Sequence, residues 1–289
     1  MGSRSTAAYC RRVLCSSCPN VTIVVAAASL LAAGCGVSAG SPPSHRGPDR
    51  VAAPQRDAPI SGPVRRVVLL GHSVEHRPIR VQELGEPFPG RRVLIVGCIH
   101  GDERAGISVA RRLDAIALPQ GIDLWVLDDL NPDGAAAGTR QNARGVDLNR
   151  NFPYGWRPAG RPGDQQYPGP RALSEPEARI AYHLILRLRP QVTIFFHQPL
   201  GLVDESGGDS RIERRFAQLS GLPLRRLTRY PGSVVGWQNH RLPTSTAFVV
   251  ELPPGHLTPL SSARLARVVL ALAHGLPSRE GSYMRPPLR

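Results

Sequence analysis

Three apolar runs, far apart in the chain, each stop at a residue that can bind a metal ion or carry a proton. VLIVGCI runs into His100-Gly101-Asp102-Glu103, VTIFF into His197, and AFVV into Glu251. Short runs rich in Val, Ile and Phe read as buried strands, and Val93 to Ile99 is the strongest of them. Val67 to Leu70, Leu124 to Leu127, Val192 to Phe196 and Thr246 to Val250 complete the set. Helical patterns alternate with them. Arg104 to Ile116 places Val109, Leu113 and Ile116 on one face. A second helix, opened by a capping box of Ser174 and Glu177, runs to about Leu188 with Ala181, Leu184, Ile185 and Leu188 inward. Ser261 to Ala273 closes the series. This order predicts an α/β fold, a three-layer α/β/α sandwich around a mixed, largely parallel sheet. Ligands of such sheets gather beyond the carboxyl ends of the strands, where these three runs deliver their polar residues.

His100 and Glu103 stand three residues apart, so across a tight turn or helix start both side chains can face one ion. His197 then supplies a third ligand and leaves one position open. Two imidazoles and a carboxylate with an open position form a donor set that suits catalytic zinc. Asn131-Pro132-Asp133-Gly134 reads as a turn. Cys98, two residues before His100, reads as a buried strand cysteine. His72, His76, His183 and His256 receive no ligand role. Asp204 and Glu205 belong either to a solvated loop or to contacts with a substrate amine.

Composition removes several function classes. With 41% hydrophobic and 20% charged residues, the 289-residue chain can build a substantial core, which excludes wholesale disorder and a multi-pass membrane protein. All 36 residues counted as Lys or Arg are arginine. Without lysine there is no Schiff-base enzyme, no phosphate loop of the Lys-Ser/Thr type and no protein kinase. The arginines are scattered and aromatics make up only 5%, so no nucleic-acid partner is expected from the net charge of +14. Attraction to anionic wall polymers or lipid headgroups is a milder expectation.

The ends differ from the middle. Residues 1–34 read as an export signal: Arg4, Arg11 and Arg12 make a basic start, and the apolar stretch Val21 to Ala33 is shorter than the roughly 20 residues that span a bilayer. Leu31-Ala32-Ala33-Gly34-Cys35 resembles a bacterial lipoprotein signal, with Cys35 as the lipidated first residue of the mature chain. A plain secretory signal cut nearby is the alternative, and the Arg11-Arg12 pair hints at twin-arginine export. Such cleavage removes Cys10, Cys15 and Cys18 and leaves Cys35 and Cys98, so no internal disulfide framework is expected. Residues 35–63, rich in Gly, Pro, Ser and Arg, read as a flexible tether. A folded domain is expected over 64–276, and 277–289 forms a tail.

Thr139-Arg140-Gln141-Asn142-Ala143-Arg144-Gly145-Val146-Asp147-Leu148-Asn149-Arg150-Asn151-Phe152-Pro153 completes an ordered series with the H-x-x-E turn, the NPDG turn, His197 and Glu251. Over residues 91 to 255 this series resembles the zinc carboxypeptidase family. TRQNARGVDLNRNFP, the His-x-Pro-Leu at His197, Pro231-Gly232-Ser233 and Glu251-Leu252-Pro253-Pro254 extend the resemblance to the murein peptide amidases of bacteria. The resemblance implies one zinc ion per chain on His100, Glu103 and His197, with Glu251 as general base. It implies that Asp147 fixes the His100 tautomer, that Arg140 faces the developing oxyanion, and that Asn149 and Arg150 hold the substrate carboxylate. The implied reaction is hydrolysis of a peptide or amide bond near a carboxyl terminus, with γ-D-glutamyl-meso-diaminopimelate in murein peptides as substrate. A general metallocarboxypeptidase, an aspartoacylase-like deacylase and a surface binding protein with a decayed site are the other readings. Gln198 departs from the pattern, since the amidases carry Asp there and the carboxypeptidases Ser. The mobile tyrosine of the digestive carboxypeptidases has two candidates here, Tyr230 and Trp237.

Overall fold

The computed structural model describes residues 63–87 and 91–278. The expected export signal, the tether with Cys35 and the tail from residue 279 lie outside the described residues. Within them the order is β1 (Val64–His72), β2 (Pro78–Gly85), β3 (Arg91–Val96), α1 (Ala105–Ala115), β4 (Ile122–Leu127), α2 (Pro132–Ala137) and α3 (Pro176–Leu188). There follow β5 (Val192–His197), β6 (Leu202–Asp204), α4 (Ser210–Ser220), β7 (Leu224–Arg225), α5 (Val234–Arg241), β8 (Thr246–Glu251) and α6 (Pro259–His274).

One eight-stranded sheet runs in the order β1-β2-β4-β3-β5-β8-β6-β7. The central strands β4, β3, β5 and β8 are mutually parallel, and antiparallel pairings attach β2 to β4 and β6 to β8. The sheet is therefore mixed, with a parallel centre. The central strands are largely apolar because both faces are covered. Val93 and Ile95 of β3, Ile194 and Phe196 of β5, and Phe248 and Val250 of β8 pack under α1, α4 and α6. The alternate residues Leu94, Val96, Phe195, Ala247 and Val249 face the opposite way, into a second core with α3 and α5. A period of two in each strand thus fills two cores and produces the expected three layers.

Three local expectations are corrected. Val67 to Leu70 belongs to an edge strand, and Val67 and Leu69 are exposed, because β1 pairs only with β2. The capping box does not form. Ser174 Oγ donates to Glu175 Oε1 (2.7 Å) and accepts from Asn151 Nδ2 (3.0 Å), while Glu177 accepts from the Val74 amide (3.0 Å) and Asn142 Nδ2 (3.1 Å). Tertiary donors have claimed the groups that would have capped α3, which starts at Pro176 without a side-chain cap. The NPDG segment is a short helix rather than a turn alone: Asn131 caps it by accepting from the Gly134 amide (3.0 Å), and Gly138 ends it at a φ of 68°.

Two close approaches set the neighbourhood of the site. A Cβ on Gly106 would lie 2.1 Å from the Gly97 carbonyl oxygen and 2.4 Å from Phe196 Cβ, so only glycine lets α1 start directly over the ends of β3 and β5. A Cβ on Gly101 would lie 1.9 Å from the Gly134 carbonyl carbon, so the H-x-x-E turn rests on the α2 backbone.

Candidate metal centre and active site

β3 and β5 are adjacent and parallel, so the turn after β3 and the last residue of β5 emerge side by side. His100, Glu103 and His197 meet there. His100 Nδ1 lies 2.9 Å from Glu103 Oε1, His197 Nδ1 lies 2.7 Å from Glu103 Oε2, and the two Nδ1 atoms are 3.2 Å apart. A tetrahedral zinc ion with bonds of about 2.0–2.1 Å has ligand atoms about 3.3 Å apart, so this donor set fits one ion with little adjustment. Among the described residues it is the one cluster of His, Cys, Asp or Glu ligand atoms close enough to share an ion.

The surroundings favour positive charge at that point. Burial acts to raise the Glu103 pKa, but His197 and His100 outweigh it and hold the carboxyl far below the usual range. Burial acts to lower the His100 pKa, yet Asp147 and Glu103 raise it overall. An ion bound between these groups would supply the same positive charge. The fully buried Asp147 lies 3.0 Å from His100 Nε2, which leaves Nδ1 to face Glu103 and His197. A carboxylate on the far nitrogen of a metal-binding imidazole is the usual way to fix its tautomer.

Arg140 reaches two carboxylates. Its Nε and Nη2 each lie 3.1 Å from Asp147 Oδ2, and its Nη1 lies 2.9 Å from Glu103 Oε1. Asn131 holds this segment by donating from Nδ2 to the carbonyls of Ile99 (3.2 Å) and Arg140 (3.3 Å), so the NPDG element fastens the H-x-x-E turn to the Arg140 strand of the loop. Asn142 braces the other side, donating from Nδ2 to Glu175 (2.8 Å) and Glu177 (3.1 Å) and accepting the amides of Arg144 and Val146.

Asn149 and Arg150 fall in a single 3₁₀ turn capped by Asp147, which accepts the Asn149 amide at 2.9 Å. Asn149 Oδ1 accepts the Val234 amide at 3.0 Å, anchoring the turn to the start of α5. Arg150 is buried, donates from Nη1 to the Asn149 carbonyl (2.8 Å), and has a buried Nε with no hydrogen-bond partner among the described residues. It forms no ion pair among the described residues. Burial lowers its pKa from the ordinary guanidinium value. The Tyr230 ring lies 4.2 Å from the Arg150 guanidinium carbon and is partly exposed, whereas Trp237 is buried against Phe152 and Tyr182. Of the two aromatic candidates, only Tyr230 stands at the site.

Glu251 ends β8 directly opposite His197 in the parallel register. One of its carboxylate oxygens is buried without a hydrogen-bond partner among the described residues. Burial raises its pKa, the His197 imidazole opposes that rise, and the Glu103 charge adds to it. Gln198 does not point its amide at the cluster. Its backbone N–H donates to Glu103 Oε2 (3.2 Å), and its side chain reaches α1 and the chain after Glu251. Cys98 is buried with Sγ donating to the His100 carbonyl, and burial with the nearby Asp129 charge pushes its thiol well up. Asp204 is buried in an ion pair with Arg229 (2.7 Å), and Glu205 pairs with Arg226 (2.9 Å), so both brace the chain after β7. Sequence reasoning missed the bracing by Asn131 and Asn142, because nothing in their local pattern tells which distant groups they will meet.

An open α/β sheet carrying a His-Glu-His cluster beyond its parallel strands, with a carboxylate opposite, defines a metallohydrolase of the carboxypeptidase type. A family model described as zinc carboxypeptidase matches residues 63–199. Murein peptide amidase A of Vibrio campbellii is 36% identical over 197 residues, covering 59% of this chain and 76% of that protein. Murein peptide amidase A of Escherichia coli K12 is 34% identical over 157 residues, covering 50% of this chain but only 64% of that protein's length. The crystal structure of murein-tripeptide amidase MpaA from Escherichia coli O157 superposes with a TM-score of 0.61 at 26% identity, covering 74% of this chain and 93% of the other. The chain belongs to the zinc carboxypeptidase family. The family match ends at residue 199, so the place of Glu251 in the site is carried by its register with His197.

Proposed function

We propose that the protein is a zinc-dependent hydrolase that cleaves a peptide or amide bond near a substrate carboxyl terminus. Its substrate would be murein peptides, cut between γ-D-glutamate and meso-diaminopimelate. The observation that carries the chemistry is the convergence of His100 Nδ1, Glu103 and His197 Nδ1 beside a carboxylate with a raised pKa. Similarity to the two murein peptide amidases supports the substrate.

Zinc held by His100, Glu103 and His197 would lower the pKa of water towards about 7 and polarise the scissile carbonyl. Arg150 receives the substrate carboxylate: among the described residues its buried cation has no ion-pair partner and its Nε points at no acceptor. The Asn149 side-chain amide, held by the Val234 amide, donates beside it. Anchoring that carboxylate places the bond to be cut near Glu251. Glu251 takes the proton of the attacking water as the new C–O bond forms. It then gives the proton to the nitrogen as the C–N bond breaks, so the amine leaves neutral. Arg140 stands beside Glu103 and steadies the negative charge that develops on the carbonyl oxygen.

The test is hydrolysis of L-Ala-γ-D-Glu-meso-diaminopimelate, beside α-linked peptides with ordinary carboxyl-terminal residues and a chelated control. Release of diaminopimelate, abolished by chelation, is expected. Cleavage confined to the α-linked peptides would replace the murein assignment with a general metallocarboxypeptidase.

We also propose that the chain works outside the cytoplasmic membrane, held there by lipid on Cys35. The apolar stretch Val21 to Ala33 leading into Leu31-Ala32-Ala33-Gly34-Cys35 supports this. Cys35→Ser is expected to move the protein from the membrane fraction to the soluble fraction. An unchanged distribution would leave the plain secretory signal.

A further inference from the structure

We propose that Gln198 is a positioning residue: its side chain locks the segment carrying Glu251 at a set distance from the His100–Glu103–His197 cluster. The inference rests on the catalytic reading above.

The Gln198 side chain makes three bonds to two separate parts of the chain. Oε1 accepts the Ala105 amide at 2.9 Å, at the first residue of α1 and two residues after Glu103. Nε2 donates to the carbonyls of Pro253 and Gly255, both at 2.8 Å. The orientation of the amide follows from its neighbours, since only oxygen can face an N–H and only nitrogen can face two carbonyls. The Gln198 backbone adds a fourth bond, from its N–H to Glu103 Oε2. One residue therefore touches a metal-ligand carboxylate, the helix that follows it and the chain beyond the general base.

Nearby backbone bonds run along the same seam. The Leu252 amide donates to the His197 carbonyl (2.7 Å) and the Gly201 amide to the Leu252 carbonyl (3.4 Å). Residues 197–201 and 251–255 are thus laced together beyond the strand ends, where the β5–β8 ladder stops at the His197–Glu251 pair. Glu251 is the last residue the sheet holds, between His197 and Leu202, and residues 252–255 beyond it depend on these links. Gln198 supplies the side-chain link, and its chemistry is specific: one acceptor and two donors at the end of a two-methylene stem. Glu keeps the length and the acceptor but sets a carboxylate against two carbonyls. Met keeps the length and loses all three bonds.

The test compares Gln198→Met and Gln198→Glu with the wild-type full chain. The readouts are kcat and KM on the peptide that wild type cleaves, bound zinc, and amide hydrogen exchange over residues 252–257 and at Ala105. A displacement of the general base by about 1 Å costs on the order of 100-fold. The expected result is therefore a kcat lowered about 10–100-fold, KM within about twofold, zinc retained, and faster exchange in those segments. A kcat within about twofold of wild type in both variants overturns the proposal, and so does loss of zinc in parallel with activity. If wild type cleaves none of the peptides, the reading under Proposed function fails by itself. Exchange then decides the link: faster exchange at 252–257 with zinc retained upholds it, and unchanged exchange overturns it.

Discussion

Glu251→Gln is expected to lower kcat by about 10²–10⁴-fold while bound zinc and the fold stay as in wild type. The substitution keeps the shape of a half-buried side chain at the end of β8. It removes the one property the mechanism asks of this position, the ability to take up a proton and return it. Burial and the neighbouring Glu103 charge raise the pKa of this carboxyl, so it gains a proton more readily than an ordinary glutamate. Glu251 also contributes no atom to the cluster of His100, Glu103 and His197, so the metal should remain. Zinc content after dialysis and steady-state hydrolysis measured on the same preparation check this. Undiminished activity would remove Glu251 from the mechanism, and loss of zinc would make it a metal ligand instead.

The second large effect is on the metal itself. His197→Ala is expected to weaken zinc binding by more than the roughly 10–100-fold that loss of a supporting partner costs, and to take hydrolysis with it. His197 Nδ1 is 2.7 Å from Glu103 Oε2 and 3.2 Å from His100 Nδ1, so its removal takes one of three converging donors. The remaining pair, His100 and Glu103, comes from a single turn. His197 is the donor that ties this turn to a separate strand, and only with it does the ion link β3 to β5. Zinc titration by calorimetry and far-UV circular dichroism of the variant check the result. Wild-type zinc affinity in a folded variant would show that the ion is held without β5.

Much of this site was readable because it follows from short-range pattern. Val93 to Ile99, Val192 to Phe196 and Thr246 to Val250 are largely apolar on both faces, as strands covered on both sides must be; the ends of the last two fell within one residue, whereas β3 stops at Val96, three residues before the expected end. α1 was legible from its one apolar face, and α6 was expected as a closing helix. Other elements were not. β2 breaks its alternation with Glu83, buried in the sheet beside Arg66. β6 and β7 are three and two residues long, too short to show any period. α5 has only two turns, below the length at which a helix holds without packing. The Ser174–Glu177 signal pointed to a cap because local partners are the default, and Asn151, Asn142 and Val74 displaced them.

From its own pattern the chain determined which residues would be delivered to the carboxyl ends of the strands, because side-chain period and polarity are local properties. His100, Glu103, His197 and Glu251 were all identifiable on that basis. The tertiary structure alone decided who faces whom: His197 opposite Glu251, Tyr230 rather than Trp237 beside Arg150, Gln198 bridging α1 and Gly255. These contacts join residues from about 50 to nearly 100 positions apart, and they depend on the order β4-β3-β5-β8. Strand order is set by how two cores fill on either side of the sheet, and no short stretch of sequence carries that information.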